Sequence, residues 1–103
     1  MSSAAPAIDL SVIIVSWNCL PHLRRCLDAL RPALAGLSAE IIVADNASDD
    51  GTPALLRQEF SDVQLIEMGR NAGFAAAVNR AAGGARGAFL WLLNPDTLPS
   101  AAC

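Results

Sequence analysis

The sequence contains no lysine, and its seven basic residues, all arginines, stand against ten acidic residues for a formal net charge of −3. Binding to a nucleic-acid backbone depends on concentrated Lys and Arg, and these arginines form no basic cluster. Nucleic acid is therefore not an expected partner. An anionic ligand at an acidic site would need a metal ion to hold it.

Cysteines are few, and segments that would direct the chain to a membrane are missing. Cys19, Cys26 and Cys103 are odd in number and lack the paired spacing of a zinc site, which predicts free thiols in a reducing compartment. No positive residue precedes the apolar run that begins at Leu10, and this run is too short to span a bilayer. We expect neither a signal peptide nor a membrane helix. The expected location is cytoplasmic, either free or peripheral at the inner face of the membrane.

The composition is that of a globular domain, with 53% hydrophobic and 17% charged residues in a chain of 103. Four apolar runs predict buried strands, at residues 10–15, 40–44, 63–68 and 88–93. Helical patterns lie between these runs. The sequence therefore alternates strand and helix three times and then adds a fourth strand.

Each helical pattern has a recognisable beginning. Asn18 can cap the first helix, whose leucines recur at three- and four-residue steps. Thr52 followed by proline begins the second helix. The third is rich in small residues and runs from Phe74 to about residue 82, with Phe74 and Val78 predicted to face inward.

The predicted fold class is α/β, a Rossmann-like open parallel sheet with helices on both faces and βαβαβαβ order. If the second and third strands lie on one side of the first and the fourth lies on the other, the strand order reverses between the first and fourth strands. Ligands of such sheets bind beyond the carboxyl ends at that reversal. Residues 1–7 are predicted to be a flexible leader and residues 8–103 the domain. Because the chain stops soon after its last motif, we expect it to be part of a longer domain.

Polar or glycine-rich segments follow all four predicted strands, which suggests one site. They are Ser16-Trp17-Asn18, the acidic stretch from Asp45 to Asp50, the segment from Arg70 to Gly73, and Asn94-Pro95-Asp96. Together they offer an aromatic plane, carboxylates, an arginine and a closely approachable backbone. Such groups suit a nucleotide whose phosphates are held by a hard divalent cation. No Gly-x-Gly-x-x-Gly and no phosphate-loop Gly-Lys-Ser/Thr occurs, so those two nucleotide motifs are excluded.

Four motifs resemble those of the amino-terminal half of a family 2 glycosyltransferase of the GT-A fold, closest to its rhamnosyltransferase-like branch. They occupy residues 12–18, 43–52, 71–79 and 92–97. Each motif is weak alone, but four in this order are highly specific. The resemblance implies an inverting transfer of a sugar from a nucleotide-diphosphate donor to the hydroxyl of a glycan or lipid-linked acceptor. It also implies Mg²⁺ or Mn²⁺ as cofactor.

The resemblance also implies roles for particular residues. Trp17 would lie against the nucleobase and Asp45 would hydrogen-bond it. Asn94 and Asp96 would occupy the two acidic positions of the family's Asp-x-Asp motif, with Asp96 as the metal ligand and the Asn94 amide near a ribose hydroxyl. The nucleotide-sugar-binding candidates are Ser16, Trp17, Asn18, Asp45, Arg70, Asn71, Gly73, Asn94 and Asp96. No residue is assigned as the general base, which the family supplies from sequence beyond these motifs.

Two other readings use the same features. A phosphoryl-accepting receiver domain shares the strand-helix order and the acidic strand ends, but its chemistry usually needs a lysine, which this chain lacks. A non-catalytic nucleotide-binding or interaction module remains the main alternative, because donor recognition can exist without the acceptor half.

Overall fold

The computed structural model describes residues 8–93, in which four parallel strands alternate with three helices. The elements are β1 (Ile8–Ser16), α1 (Leu20–Ala33), β2 (Ala39–Asp45), α2 (Thr52–Glu59), β3 (Gln64–Glu67), α3 (Phe74–Gly83) and β4 (Gly87–Leu93). This confirms the predicted α/β class and element order. The predicted leader, and the candidate residues Asn94 and Asp96, lie outside the described residues.

The strands form one parallel sheet in the order β3-β2-β1-β4. The chain moves from β1 through β2 to β3 in one direction and then returns across the sheet to place β4 on the other side of β1. The reversal of strand order therefore falls between β1 and β4, as predicted. Ser16 is in register with Asp45, so the last residues of β1 and β2 lie side by side.

Two hydrophobic layers cover the sheet. Because side chains alternate along β1, Val12 and Ile14 belong to the layer formed with α1 and α2, whereas Ile13 belongs to the layer formed with α3. The first layer is the larger and includes the leucines that recur along α1. Its buried members from the helices are Leu23, Cys26, Leu27, Leu30 and Leu56.

The inward face of α3 differs from the prediction. Ala77 and Ala81, four residues apart, are the buried residues of this helix, while Phe74 is 58% exposed and Val78 is only partly buried. Phe74 is the first residue of α3, and helical side chains point toward the helix N-terminus. Its ring therefore extends past the end of the helix instead of onto the sheet. Small alanines take the inward positions.

The fourth strand was predicted to be buried, and this was wrong. Four consecutive side chains of β4, from Phe89 to Leu92, are between 43% and 72% exposed. The physical reason is that, within residues 8–93, β4 lies at the edge of the sheet and pairs with β1 alone, whereas α3 packs on β1 and β2. Leu93 alone among its large side chains packs against the first hydrophobic layer.

The buried carboxylate of Glu40 in β2 links neighbouring strands near the amino-terminal edge of the sheet. Its Oε2 accepts hydrogen bonds from the Ser11 hydroxyl at 2.6 Å and from the Arg86 N–H at 2.7 Å. Its Oε1 accepts from Gln64 Nε2 at 2.7 Å, and the Arg86 guanidinium lies 3.3 Å away. The Ser11 hydroxyl also accepts the Gly87 N–H at 2.8 Å. Ser11 of β1 is thus connected with residues at or next to the starts of β2, β3 and β4.

Burial and hydrogen bonding act in opposite directions on Glu40. Burial alone would raise the pKa of this carboxyl group, but the bonds from Ser11, from the backbone and guanidinium of Arg86, and from Gln64 together lower the pKa below its ordinary value of 4.5. Glu40 is therefore a paired, charged group that stabilises the folded chain at neutral pH.

The cysteines of the described region agree with the prediction of free thiols. Cys19 and Cys26 are both buried and unbonded to each other, and burial, with Cys19 nearby, raises the pKa of the Cys26 thiol. Among residues 8–93, no helix has the length and apolar character needed to cross a membrane.

Candidate functional site

Three loops meet at the carboxyl-terminal edge of the sheet, and we call this edge the rim. They are residues 17–19 after β1, residues 46–51 after β2 and residues 68–73 after β3. Parallel strands deliver all three loops to the same edge. Six of the nine predicted binding residues, together with Ser16 at the very end of β1, are thereby placed at the rim: Trp17, Asn18, Asp45, Arg70, Asn71 and Gly73.

Asp45 is almost completely buried, at 1% exposure, and its carboxylate holds its own loop. Oδ2 accepts the Ser48 N–H at 2.9 Å and Oδ1 accepts the Ser48 hydroxyl at 2.6 Å. The Ser48 oxygen in turn accepts the Asn18 N–H at 2.9 Å. A nucleobase contact by Asp45 would have to share oxygens that already serve Ser48.

Asn18 joins the first two loops, but it does not cap α1 as predicted. The residue preceding the helix is Cys19, and the Leu20 N–H donates instead to Asp50 Oδ2 at 3.0 Å. Asn18 has a positive φ of 48°, and its Oδ1 accepts the Asp49 N–H at 2.9 Å. This backbone turn directs its amide toward the neighbouring loop, so the capping acceptor comes from another part of the chain.

Asn46 connects the second loop to the third, a role that the sequence interpretation missed. Its Oδ1 accepts the Ala72 N–H at 3.2 Å, and its Nδ2 donates to the Gly73 carbonyl at 3.3 Å. The Asn46 N–H donates to the Ser16 carbonyl at 2.8 Å. The available signal was a polar residue directly after the apolar run of β2, but this signal alone does not distinguish a residue that links two loops from one that forms a turn.

Several rim groups remain open to a ligand. Trp17 is 52% exposed, which agrees with its position after the last buried residue of β1. Arg70 and Asn71 are also exposed. Ser16, in contrast, is fully buried, although its hydroxyl has no hydrogen-bond partner among the described residues. The exposed indole, guanidinium and amide can stack on a planar ring and bind an anionic or polyhydroxyl ligand.

The described carboxylates do not form a cation site. No group of three or more His, Cys, Asp or Glu residues within residues 8–93 could hold a metal ion. Asp45 is occupied by Ser48, and both Asp50 oxygens accept hydrogen bonds at the starts of α1 and α2. The residues predicted to hold a divalent cation, Asp96 with Asn94, lie outside the described residues. The metal site therefore stays a prediction.

A cavity of about 210 Å³ lies away from the rim, between the end of α1 and the start of β2. Its lining includes Leu34, Leu37, Ile41 and the paired Arg31 and Asp62. It is smaller than the ~300–1,000 Å³ common for ligand pockets. The convergence of the strand ends therefore makes the rim, and not this cavity, the candidate ligand site.

Comparison with models of known protein families shows to which family this chain belongs. The family model for glycosyl transferase family 2 matches residues 11–103, nearly the whole chain. This chain belongs to glycosyl transferase family 2. The resemblance predicted from the four motifs is therefore confirmed.

Curated relatives of this chain are much longer than it is. An N-acetylglucosaminyl-diphospho-decaprenol L-rhamnosyltransferase of Mycobacterium tuberculosis is 39% identical over 71 residues, which are 69% of this chain and 23% of the relative. The succinoglycan biosynthesis protein ExoO of Rhizobium meliloti is 32% identical over 96 residues, or 88% of this chain and 27% of that protein. The chain thus spans about a quarter of these relatives.

Solved structures of similar proteins share the fold. The mannosyltransferase PcManGT of Pyrobaculum calidifontis, solved with GDP-Man and Mn²⁺, has a TM-score of 0.75 and 26% identity, covering 88% of this chain and 28% of that one. Staphylococcus aureus TarS, residues 1–349 with UDP, has a TM-score of 0.75 at 22% identity, covering 86% and 28%. These similarities confirm the GT-A type of parallel sheet.

Proposed function

We propose that this chain forms the donor-binding part of a family 2 glycosyltransferase that transfers a sugar, with inversion, from a nucleotide-diphosphate sugar to an acceptor hydroxyl. The observation that carries the proposal is the meeting of three loops at the carboxyl-terminal edge of the sheet, the first of them after β1, which borders the reversal of strand order. Trp17, Arg70 and Asn71 are exposed on these loops. Family membership supplies the reaction class.

The proposed ligand of the rim is the nucleoside diphosphate. One similar structure contains UDP and another contains GDP-Man, so the nucleotide part is what these ligands share. Trp17 offers its exposed ring to the base, and Arg70, Asn71 and the Gly73 backbone approach the ribose and phosphates. Ser16, Asn18 and Asp45 support these groups from beneath, and Asp45 reaches the base only by sharing its oxygens with Ser48.

We propose that Asp96 is the protein's ligand to Mg²⁺ or Mn²⁺, and that Asn94 reaches a ribose hydroxyl. When bound, the cation would neutralise the diphosphate. Two considerations support Asp96: it stands at the metal-binding position of the family's Asp-x-Asp motif, whose first acidic position is Asn94 here, and one similar structure contains Mn²⁺. With an amide at position 94, the motif supplies one carboxylate, and most other ligands must be oxygens of water and diphosphate.

We propose the base and the acceptor-binding surface for the whole glycosyltransferase, and we assign neither to a residue of the 103-residue chain. An inverting transfer needs a base that removes the proton of the acceptor hydroxyl. Among the described rim carboxylates, Asp45 is already hydrogen-bonded to Ser48, and Asp50 accepts hydrogen bonds from Leu20 and Thr52 at the starts of α1 and α2. We propose a glycan or lipid-linked acceptor, and we expect the 103-residue chain alone to bind a donor without transferring its sugar.

Calorimetric titration of the 103-residue chain with a panel of nucleoside diphosphates, with and without Mn²⁺, tests the proposal. Nucleotide and metal should strengthen each other's binding reciprocally. Asp96→Ala should abolish that coupling, whereas Asp28→Ala, which removes an exposed carboxylate on α1, should leave it intact. If no nucleoside diphosphate binds, the proposed function is wrong.

A second measurement distinguishes donor binding from catalysis. The chain is incubated with a nucleotide sugar and a hydroxyl acceptor, and release of nucleoside diphosphate is followed. We expect binding without release. Robust transfer by this chain alone would show that it contains the base and the acceptor surface.

A further inference from the structure

Asn46 is the first residue after β2, and it is buried to 3% exposure at the point where two rim loops meet. Its side-chain amide faces the backbone of the third loop through two hydrogen bonds: Oδ1 accepts from the Ala72 N–H and Nδ2 donates to the Gly73 carbonyl. Its burial prevents direct contact with a ligand. Any effect on binding must pass through the loop that it holds.

The two bonds require an amide of this size. The loop presents one donor and one acceptor, and an asparagine amide offers the matching acceptor and donor. An aspartate at position 46 could still accept from Ala72, but it would turn a carboxylate oxygen toward the Gly73 carbonyl. An alanine would offer neither partner.

The Met68 N–H at the start of this loop donates to the Asp45 carbonyl at 2.9 Å, but the other forces that hold residues 70–73 are weak. The inward face of α3 consists of Ala77 and Ala81, which bury little apolar surface. Asn71 bonds only locally, its Oδ1 accepting the Gly73 N–H at 3.1 Å. Gly73 has φ of 90°, and its carbonyl accepts the Ala77 N–H as well as the Asn46 amide. The same carbonyl therefore begins α3 and anchors it to β2.

We propose that Asn46 is a positioning residue, which holds the segment 70–73 in the orientation that receives the nucleotide. This inference rests on the proposed function, since it assumes that a nucleoside diphosphate occupies the rim. Without the two side-chain hydrogen bonds of Asn46, the segment 70–73 samples other orientations. The apparent affinity for the nucleotide then falls in proportion to the fraction of molecules whose segment has the binding orientation. Loss of two hydrogen bonds that leaves about one molecule in ten competent would weaken binding about tenfold.

The test compares Asn46→Ala and Asn46→Asp with matched changes at Asn79, an exposed residue of α3. For each form of the 103-residue chain, calorimetry measures affinity for the nucleoside diphosphate that binds the unmodified chain best. Amide hydrogen exchange measures local opening. We expect about tenfold weaker binding for both Asn46 variants, with faster exchange confined to residues 70–77, and no change for the Asn79 variants.

Each other outcome is decisive. Unchanged affinity in Asn46→Ala would overturn this inference while leaving the proposed function intact. Failure of the unmodified chain to bind any nucleoside diphosphate would overturn both. Faster exchange throughout β1 and β2, or loss of cooperative unfolding in both Asn46 variants, would show that Asn46 serves the fold as a whole and would also overturn the inference.

Discussion

Replacing Glu40 with glutamine should destabilise this chain far more than the same change at an exposed glutamate. The substitution keeps the shape of the side chain and removes its charge. In the best orientation, the new amide oxygen still accepts from Ser11 and the Arg86 N–H, while its NH₂ group faces Gln64, which can turn its own amide to accept.

The expected loss follows from the two buried bonds that cease to be charge-assisted. A hydrogen bond to a charged group contributes about 1.5–3 kcal/mol, whereas a neutral one contributes about 0.5–1.5 kcal/mol. Two such bonds predict a loss of about 2 kcal/mol. The Arg86 guanidinium is 67% exposed, so solvent screens its attraction to Glu40 and nothing is added for it.

Urea unfolding at neutral pH measures this loss, with Glu59→Gln as the control. Glu59 pairs with Arg24 on the surface, and such pairs contribute about 0–1 kcal/mol. A shift for Glu40→Gln no larger than the shift for Glu59→Gln would refute the reasoning about the buried network.

The difference in stability between the unmodified chain and Glu40→Gln should depend on pH. Because the folded-state pKa of Glu40 is lowered below 4.5, its charge stabilises the fold above that pH, and the contribution is lost as the pH falls through the folded-state value. A protonated Glu40 resembles glutamine. The stabilities of the unmodified chain and Glu40→Gln should therefore converge below pH 4.5, and a difference that stays constant with pH would contradict the assignment.

Two further predictions concern the edge strand and the rim. Gly87→Ala should destabilise by about 1–3 kcal/mol in urea unfolding, because its Cβ would lie 2.5 Å from the Ser11 backbone nitrogen; Gly83→Ala, where nothing lies within 4 Å, is the control and should not destabilise. Trp17→Phe should remove most of the fluorescence change caused by a nucleoside diphosphate, and a fully retained change would assign the signal to Trp91 instead of the proposed base contact.

Much of the fold was predictable because its signals are local. Continuous apolar runs marked the strands, leucine spacing marked α1, and the order of elements implied a parallel sheet whose strand order reverses beside β1. The exposure of β4 was not predictable in this way. A run such as residues 87–93 has the same composition in a central strand and in an edge strand, and only the described neighbours show that it lies at an edge.

The inward face of α3 was missed for a related reason. Periodicity places Phe74, Ala77 and Ala81 on one stripe, but it does not show where the sheet ends beneath that stripe. A large apolar residue at the first position of the helix was therefore taken for core. Its exposure at the rim is a consequence of helix length and position, which depend on the packed structure.

The predicted rim residues separate into two groups that the sequence could not distinguish. Asp45 and Asn18 were predicted as ligand contacts, yet their polar atoms bond to other rim residues, as do those of the overlooked Asn46. The partner of Asp45 is local, since Ser48 is three residues away, but Asn18 and Asn46 bond to residues 31 and 26 positions away, and such partners leave no fixed spacing in a sequence. Composition identified the loops correctly but not the roles within them.

The opposite edges of the sheet use buried polar groups in the same way and differ in what they expose. At the amino-terminal edge, Glu40 joins the starts of the strands, and its bonds connect protein groups to one another. At the rim, Asp45 holds its own loop through Ser48 and Asn46 holds the third loop, while Trp17 and Arg70 remain exposed, with no hydrogen bond or ion pair to another described residue. A buried polar group must be paired within the protein, whereas an exposed one can exchange water for a ligand. The buried residues of the rim therefore fix the loops, and the exposed ones are free to contact the nucleotide.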